Sequence, residues 1–362
     1  MLQEIKSGNK RPTEVQLKSL YPFLKEVDSI ALQQSRINLQ KAFKNLREKR
    51  ANYPKFKSKK FSRQSYRTIS TNNNIKIDNN TQHLTLPKVG KVRFRDQRII
   101  PENINQVTIT RTTANNYYAS ILIEEEINPI IITEFNDTNT VGIDMGLVHF
   151  YTNSEGNTLE NPRFYRKDEK KLAKIQRKLS KKKKGSKNRN RQRIKVAKVH
   201  EKITNKRKDF LQKNSTQIIN EWDLIAIEDL NIKGMIQNLY LAKSFQDLAW
   251  SDFVRMLNYK SIWGGKTLYK VNRFYPSSKT CNICGNINME LRLKERVWVC
   301  PQCRHTHDRD INASLNIKKK ALKSTVGITG IDACGDYVRP KHRTCGAGLR
   351  SLKQETHKII RG

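Results

Sequence analysis

The apolar positions change their period more than once along this 362-residue chain, and each change marks a different kind of element. From Asp28 to Arg50, Leu32, Leu39, Phe43 and Leu46 recur at helical spacing behind a capping Asp28 or Ser29, which predicts an amphipathic helix. Between about Ser70 and Glu126 the period falls to two. The runs NIKID, HLTLP, KVRFR, VTITR and YYASILIE, parted by turn pairs such as Asn79-Asn80 and Asn115-Asn116, predict a small antiparallel sheet or barrel. Pro129 cannot sit in a central strand, so EEEINPIIITEFNDTN reads as a linker and a new domain is expected near Thr140. There VGIDMGLVHF has the composition of a buried strand, followed by a hairpin turn at Asn153-Ser154-Glu155-Gly156, and Leu224 to Ile227 forms a second apolar strand. Between them, Leu172, Ile175 and Leu179, then Ile194, Ala197, Val199 and Ile203, give narrow stripes on two helices joined at KKKKGSKN. From about Ala321 no period persists, and a disordered tail is expected.

Charge changes the picture. The 71 Lys and Arg outnumber the 33 Asp and Glu, for a formal net charge of +38. Such a surface calls for a polyanion that can exchange condensed counterions for side-chain cations, and nucleic acid is the obvious one. No run approaches a membrane span and MLQEIKSGNK lacks the apolar core of a signal peptide, so a cytosolic protein without a membrane partner is expected. The segment 166–208 holds 21 Lys and Arg against three acidic residues, nearly half of the excess charge. This basic hairpin is expected to touch nucleic acid through Lys174, Arg177, Lys178, Lys181, Lys182, Arg189, Arg191 and Arg193. PKFKSKKFSRQSYR alternates aromatic residues with cations, which suits base stacking and a solvated basic loop about equally.

Three acidic positions carry candidate chemistry. Asp144 stands within an apolar run, where a lone carboxylate is either a turn or cap residue or a charge compensated by a cation. Glu228 and Asp229 end the strand that starts at Leu224, where open sheets place their ligands, although Asp229 also suits a helix cap. Asp308 and Asp310 precede the pattern Ala313, Leu315, Ile317 and Leu322, and acidic residues are ordinary at a helix start. Converging, the three segments would form a site for hard divalent cations, the ligand set of phosphoryl chemistry. Cys281, Cys284, Cys300 and Cys303 form two Cys-x-x-Cys pairs 15 residues apart, the spacing of a closed, structural four-cysteine zinc site. Val297 and Val299 lie on one face of the returning strand, His305 and His307 read as surface residues, and Cys334 and Cys345 as inert thiols.

The order GIDxG, basic helical hairpin, apolar strand ending in Glu-Asp-Leu, two Cys-x-x-Cys pairs and DRDxNA resembles the TnpB (OrfB) family of insertion-sequence proteins, related to Fanzor and to miniature type V CRISPR effectors. The similarity runs from about Ser19 to the end, including ACGDYVRP. It implies an RNA-guided, Mg-dependent DNA endonuclease with an RNase H-like RuvC core. Asp144, Glu228 and Asp310 would be its catalytic carboxylates and would bind two magnesium ions, with Asp308 a neighbour. A zinc ribbon with one structural zinc on the four cysteines would be inserted before the third acidic motif. The implied partners are a guide RNA from the transposon end and a double-stranded DNA target, for a monomer or dimer in the prokaryotic cytoplasm.

The expected fold is therefore multidomain, mixing α/β and α+β parts. Its order would be a helical nucleic-acid-binding segment (1–65), a small antiparallel β-barrel (66–135), the RuvC-like domain (136–274), the zinc ribbon (275–307), the third RuvC motif with its helix (308–322) and a disordered tail (323–362). The family's opening segment resembling KxRLYPTxEQ is not found before Gly8, which leads to the expectation of a truncated amino end. A cleavage-deficient RNA- and DNA-binding regulator or transposon remnant is the alternative, and a junction resolvase a third, disfavoured by the zinc ribbon.

Overall fold

The computed structural model describes residues 13–56, 58, 64–126, 132, 134–237, 247–292, 294–325 and 350–359, with positions 233, 236 and 350–359 in backbone only. The chain divides into two compact units, Met1–Glu126 with Gly348–Gly362, and Ile127–Ala347.

In the first unit, α1 (Glu14–Leu20) opens with a capping box in which Thr13 and Gln16 satisfy each other's backbone N–H groups. After a 3-10 turn (Pro22–Glu26), α2 (Ser29–Arg47) is capped by Asp28, whose carboxylate accepts from Ile30 N and from the Thr68 hydroxyl. The expected helix is thus present. Its leucine stripe is only half-buried, and Ala31 and Gln34 are the buried positions.

Seven antiparallel strands follow in the spatial order β1-β5-β6-β14-β4-β3-β2. They are β1 (Gln64–Ile69), β2 (Lys76–Asp78), β3 (His83–Leu86), β4 (Gly90–Arg95), β5 (Ile104–Arg111), β6 (Tyr117–Glu126) and β14 (Arg350–Ile359). The alternating positions Leu84, Leu86, Phe94, Val107, Ile109, Ala119, Ile121 and Ile123 supply one core, as period two requires. The end strands β1 and β2 share no ladder among the described residues.

Two strands of this unit lie where none was expected. β1 falls within the basic aromatic stretch, and its fully buried position is Thr68, satisfied by Asp28 rather than by apolar contact. β14 lies in the presumed disordered tail and pairs with β6 from Arg350↔Glu126 to Ile359↔Tyr117. Its sequence RSLKQETHKI has little alternation, so the neighbouring strands supply the ladder that its own pattern does not announce.

The second unit is built on a five-stranded sheet in the order β11-β10-β7-β8-β9. The strands are β7 (Thr140–Asp144), β8 (His149–Asn153), β9 (Thr158–Glu160), β10 (Leu224–Glu228) and β11 (Thr267–Val271). β7, β10 and β11 run parallel, and β8 and β9 continue as antiparallel hairpins. Between β9 and β10 come α3 (Phe164–Ser180) and the 35-residue α4 (Lys187–Glu221). Then follow α5 (Ile232–Gln237), α6 (Trp250–Gly264), the hairpin of β12 (Val297–Val299) and β13 (Thr306–Asp308), and α7 (Arg309–Thr325).

The continuous apolar run of β10 is explained by burial on both faces. Ile225 and Ile227 pack with Leu211, Ile218, Phe253 and Leu257 of α4 and α6, whereas Leu224 and Ala226 pack with Ile317 and Ala321 of α7. β7 follows the same plan, and its α7 side is Gly142. A Cβ there would lie 2.0 Å from Ser314 O and 2.6 Å from Lys318 N, so glycine alone lets the helix cross so closely.

Candidate active site and metal centre

Asp144 ends β7 and Glu228 ends β10, and the register Ile143↔Ile227 brings these two parallel strand ends side by side. Asp310 lies in the first turn of α7, whose start is fixed by Asp308: its carboxylate accepts from the N–H groups of Asp310 and Ile311. The Asp308 side chain therefore faces the helix start and acts as its cap.

Burial pushes the Asp144 carboxyl up to about 8. The negative charges of Glu228 and Asp310 add to the rise, and Arg309 and Arg296 oppose it. Glu228 is also raised by burial, against which the Ser277 hydroxyl donates to its Oε1. Asp310 is tied to Arg296, whose Nη1 donates to both carboxylate oxygens at 2.9 and 3.1 Å. Asp229 pairs with Arg273 instead of capping a helix.

The three carboxylates thus share one electrostatic site. Among the described residues only the four cysteines group as a set able to hold a metal ion, and the three carboxylates do not.

The four cysteine sulfurs do come together. Cys281 to Cys303 and Cys284 to Cys300 are both 3.6 Å apart, close to the edge of about 3.8 Å in a tetrahedron with zinc–sulfur bonds of about 2.3 Å. The set suits a metal such as zinc. Backbone N–H groups of Cys303 and Gln302 favour the Cys300 thiolate and lower it to about 6, the ligand form. Cys281 and Cys300 are buried, Cys284 and Cys303 exposed.

The structure refines one expectation for this hairpin and corrects another. Val297 and Val299 do share a face, but it is the exposed one, and buried Trp298 between them packs inward. His307 is no surface residue: it is buried against Trp298 with Nε2 3.0 Å from the Cys281 sulfur. A histidine pairing with a cysteine sulfur leaves no spacing signal that distinguishes it from an exposed one. Cys334 and Cys345 lie outside the described residues.

On the basic hairpin, Lys174, Arg177, Lys178, Lys181, Lys182, Arg191 and Arg193 are exposed. Arg189 differs. Its Nη1 donates to the Leu179 and Lys182 carbonyls at 2.8 and 2.9 Å, so it clamps the end of α3. No helix among the described residues is long and apolar enough to cross a membrane.

Fold and site define a mixed α/β protein with two adjoining strands that end in carboxylates and a cluster of four cysteines able to hold a metal. Residues 120–239 match the OrfB_IS605 family profile, described as "Probable transposase", and residues 250–317 match the Cas12f1-like TNB domain. A relative from Streptomyces pristinaespiralis, provisionally named RNA-guided DNA endonuclease, is 40% identical over 94% of this chain and 81% of its own. The Escherichia coli K12 protein InsQ, provisionally named in the same way, is 30% identical over 93% of this chain and 82% of its own. A solved Cas12f1–sgRNA–target DNA complex aligns over 87% of this chain and 77% of its own, at 14% identity and a TM-score of 0.48. The chain belongs to the TnpB (OrfB) family.

Proposed function

We propose that the chain is an RNA-guided DNA endonuclease of a transposable element, with Asp144, Glu228 and Asp310 as the catalytic carboxylates of a RuvC-type core. One observation carries the assignment: acidic side chains from three distant segments share a site in which the charges of two perturb the third. Relatives 40% and 30% identical carry that activity in their names, and the two central parallel strands ending in carboxylates support an RNase H-like core.

All three side chains offer hard oxygens, the donors that magnesium takes, and they would hold two such ions. When bound, magnesium activates water and stabilises the leaving oxygen of a phosphodiester. The chain's own residues prepare that site. Burial around Asp144 limits solvent screening, the Asp308 cap fixes where Asp310 begins, and Arg296 holds Asp310 until a stronger cation competes. The exposed cations of α3 and α4 suit the phosphates of a guide RNA from the transposon end and of a double-stranded DNA target, in the prokaryotic cytoplasm. The four cysteines would hold one structural zinc.

The assignment is tested with the protein purified together with its RNA and offered a matching DNA duplex and magnesium. Wild type should cut, and Asp144→Ala should lower the rate by about a hundredfold to a thousandfold, the scale of losing a charge-stabilising group. Undiminished cutting by the variant would refute it.

A further inference from the structure

The loop before the first zinc knuckle is fastened in an unusual way. Asn312 and Asn316, one turn apart on α7 and 1% and 3% exposed, both point their amides at it. Asn316 Nδ2 donates to the Ser277 and Thr280 carbonyls at 2.8 and 2.6 Å, and Asn312 Nδ2 donates to Thr280 O at 2.8 Å. Asn312 Oδ1 in turn accepts from Asn282 N, between the first two cysteines, at 3.0 Å. Buried amide N–H groups tied to the loop carbonyls in this way favour one geometry, because another leaves polar groups unpaired. What they hold in place is Ser277, itself 5% exposed, whose hydroxyl donates to Glu228 Oε1.

We propose that Ser277 is a positioning residue for Glu228, set in place by Asn312 and Asn316 on the helix that also carries Asp310, so that the knuckle loop presents one metal-binding carboxylate in register with another. This rests on the nuclease reading above. The fixed hydroxyl occupies one lone pair of Oε1 and stops the carboxylate from rotating, which leaves its remaining lone pairs aimed at the site shared with Asp144 and Asp310. The backbone of the same loop leads within four residues to Cys281, so order at the zinc end and order at the acidic end are physically continuous.

The test compares Ser277→Thr with Ser277→Val in the full chain bound to its RNA. The two side chains have nearly the same size and differ by a hydroxyl against a methyl, so any packing disturbance falls on both. Manganese binding is followed by electron paramagnetic resonance, alongside zinc content and cleavage. Threonine should bind manganese as wild type does. Valine should weaken binding about tenfold or more at unchanged zinc content, the usual scale for removing a hydrogen-bond partner of a metal ligand. Equal manganese affinity for the two variants would overturn the proposal. Glu228→Gln separates the levels: if it binds manganese and cleaves like wild type, the nuclease assignment itself fails, whereas its loss alongside equal valine and threonine affinities defeats only the role given to Ser277.

Discussion

At the scale of single residues, Asp144 and Gly142 make the sharpest statements, and they stand two positions apart on one strand. A carboxyl held at about 8 in the folded chain against the usual 3.8 binds its proton more tightly folded than unfolded. Its contribution is therefore greatest at low pH and is lost as pH rises from about 4 through about 8. In magnesium-free buffer with zinc retained, the melting temperature should decline across that window. Asp144→Asn should flatten the decline and melt higher than wild type at pH 8; a parallel slope in both proteins would contradict the burial. Gly142→Ala drives a methyl into the α7 backbone and should cost about 3 kcal/mol by denaturant titration, since backbone oxygen and nitrogen cannot step aside. The sequence exposed both residues in one motif. It did not reveal that the glycine serves helix passage, because the obstructing atoms come from residues 314 and 318.

At the scale of elements, the zinc hairpin and the basic helix pair behave oppositely. The hairpin's core is little more than Cys281, Leu291, Trp298 and Cys300, too small to persist without a metal crosslink. Chelation with phenanthroline should release one zinc, shift tryptophan emission to the red as Trp298 is exposed, and lower the melting temperature by more than about 5 °C, roughly 2 kcal/mol. The helix pair, by contrast, contributes its exposed charge. Replacing Lys174, Arg177, Lys178, Arg191 and Arg193 by glutamine should reduce the salt slope of RNA binding by about 0.7 to 0.9 for each cation that had met a phosphate, with little change in stability. Arg189 stands apart from this set, as a carbonyl clamp on α3. Spacing and composition announced α2, α3, α4 and α7, the cysteine pairs and most strands, but not α1, α5, α6 or β11. β1 and β14 escaped because one buries a hydrogen-bonded threonine and the other carries no alternating pattern.

At the scale of the whole molecule, the chain leaves its first unit at Glu126, forms the second, and returns to the first with the strand at Arg350–Ile359. What the amino-acid order determined by itself was local: periods of two and 3.6, a cysteine spacing that suits a metal knuckle, the acidic ends of two apolar strands, and a net charge of +38 that suits a polyanion. Tertiary structure decided everything that depends on residues far apart. It set the parallel register joining Asp144 to Glu228, sent Arg296 to Asp310, buried His307 against Cys281, turned Ser277 toward Glu228 and inserted a terminal strand between β6 and β4. The reason is physical. Periodicity reports which face of an element avoids water, while the partner of a buried polar atom is fixed only when another segment, with no sequence signal of its own, arrives within hydrogen-bonding distance.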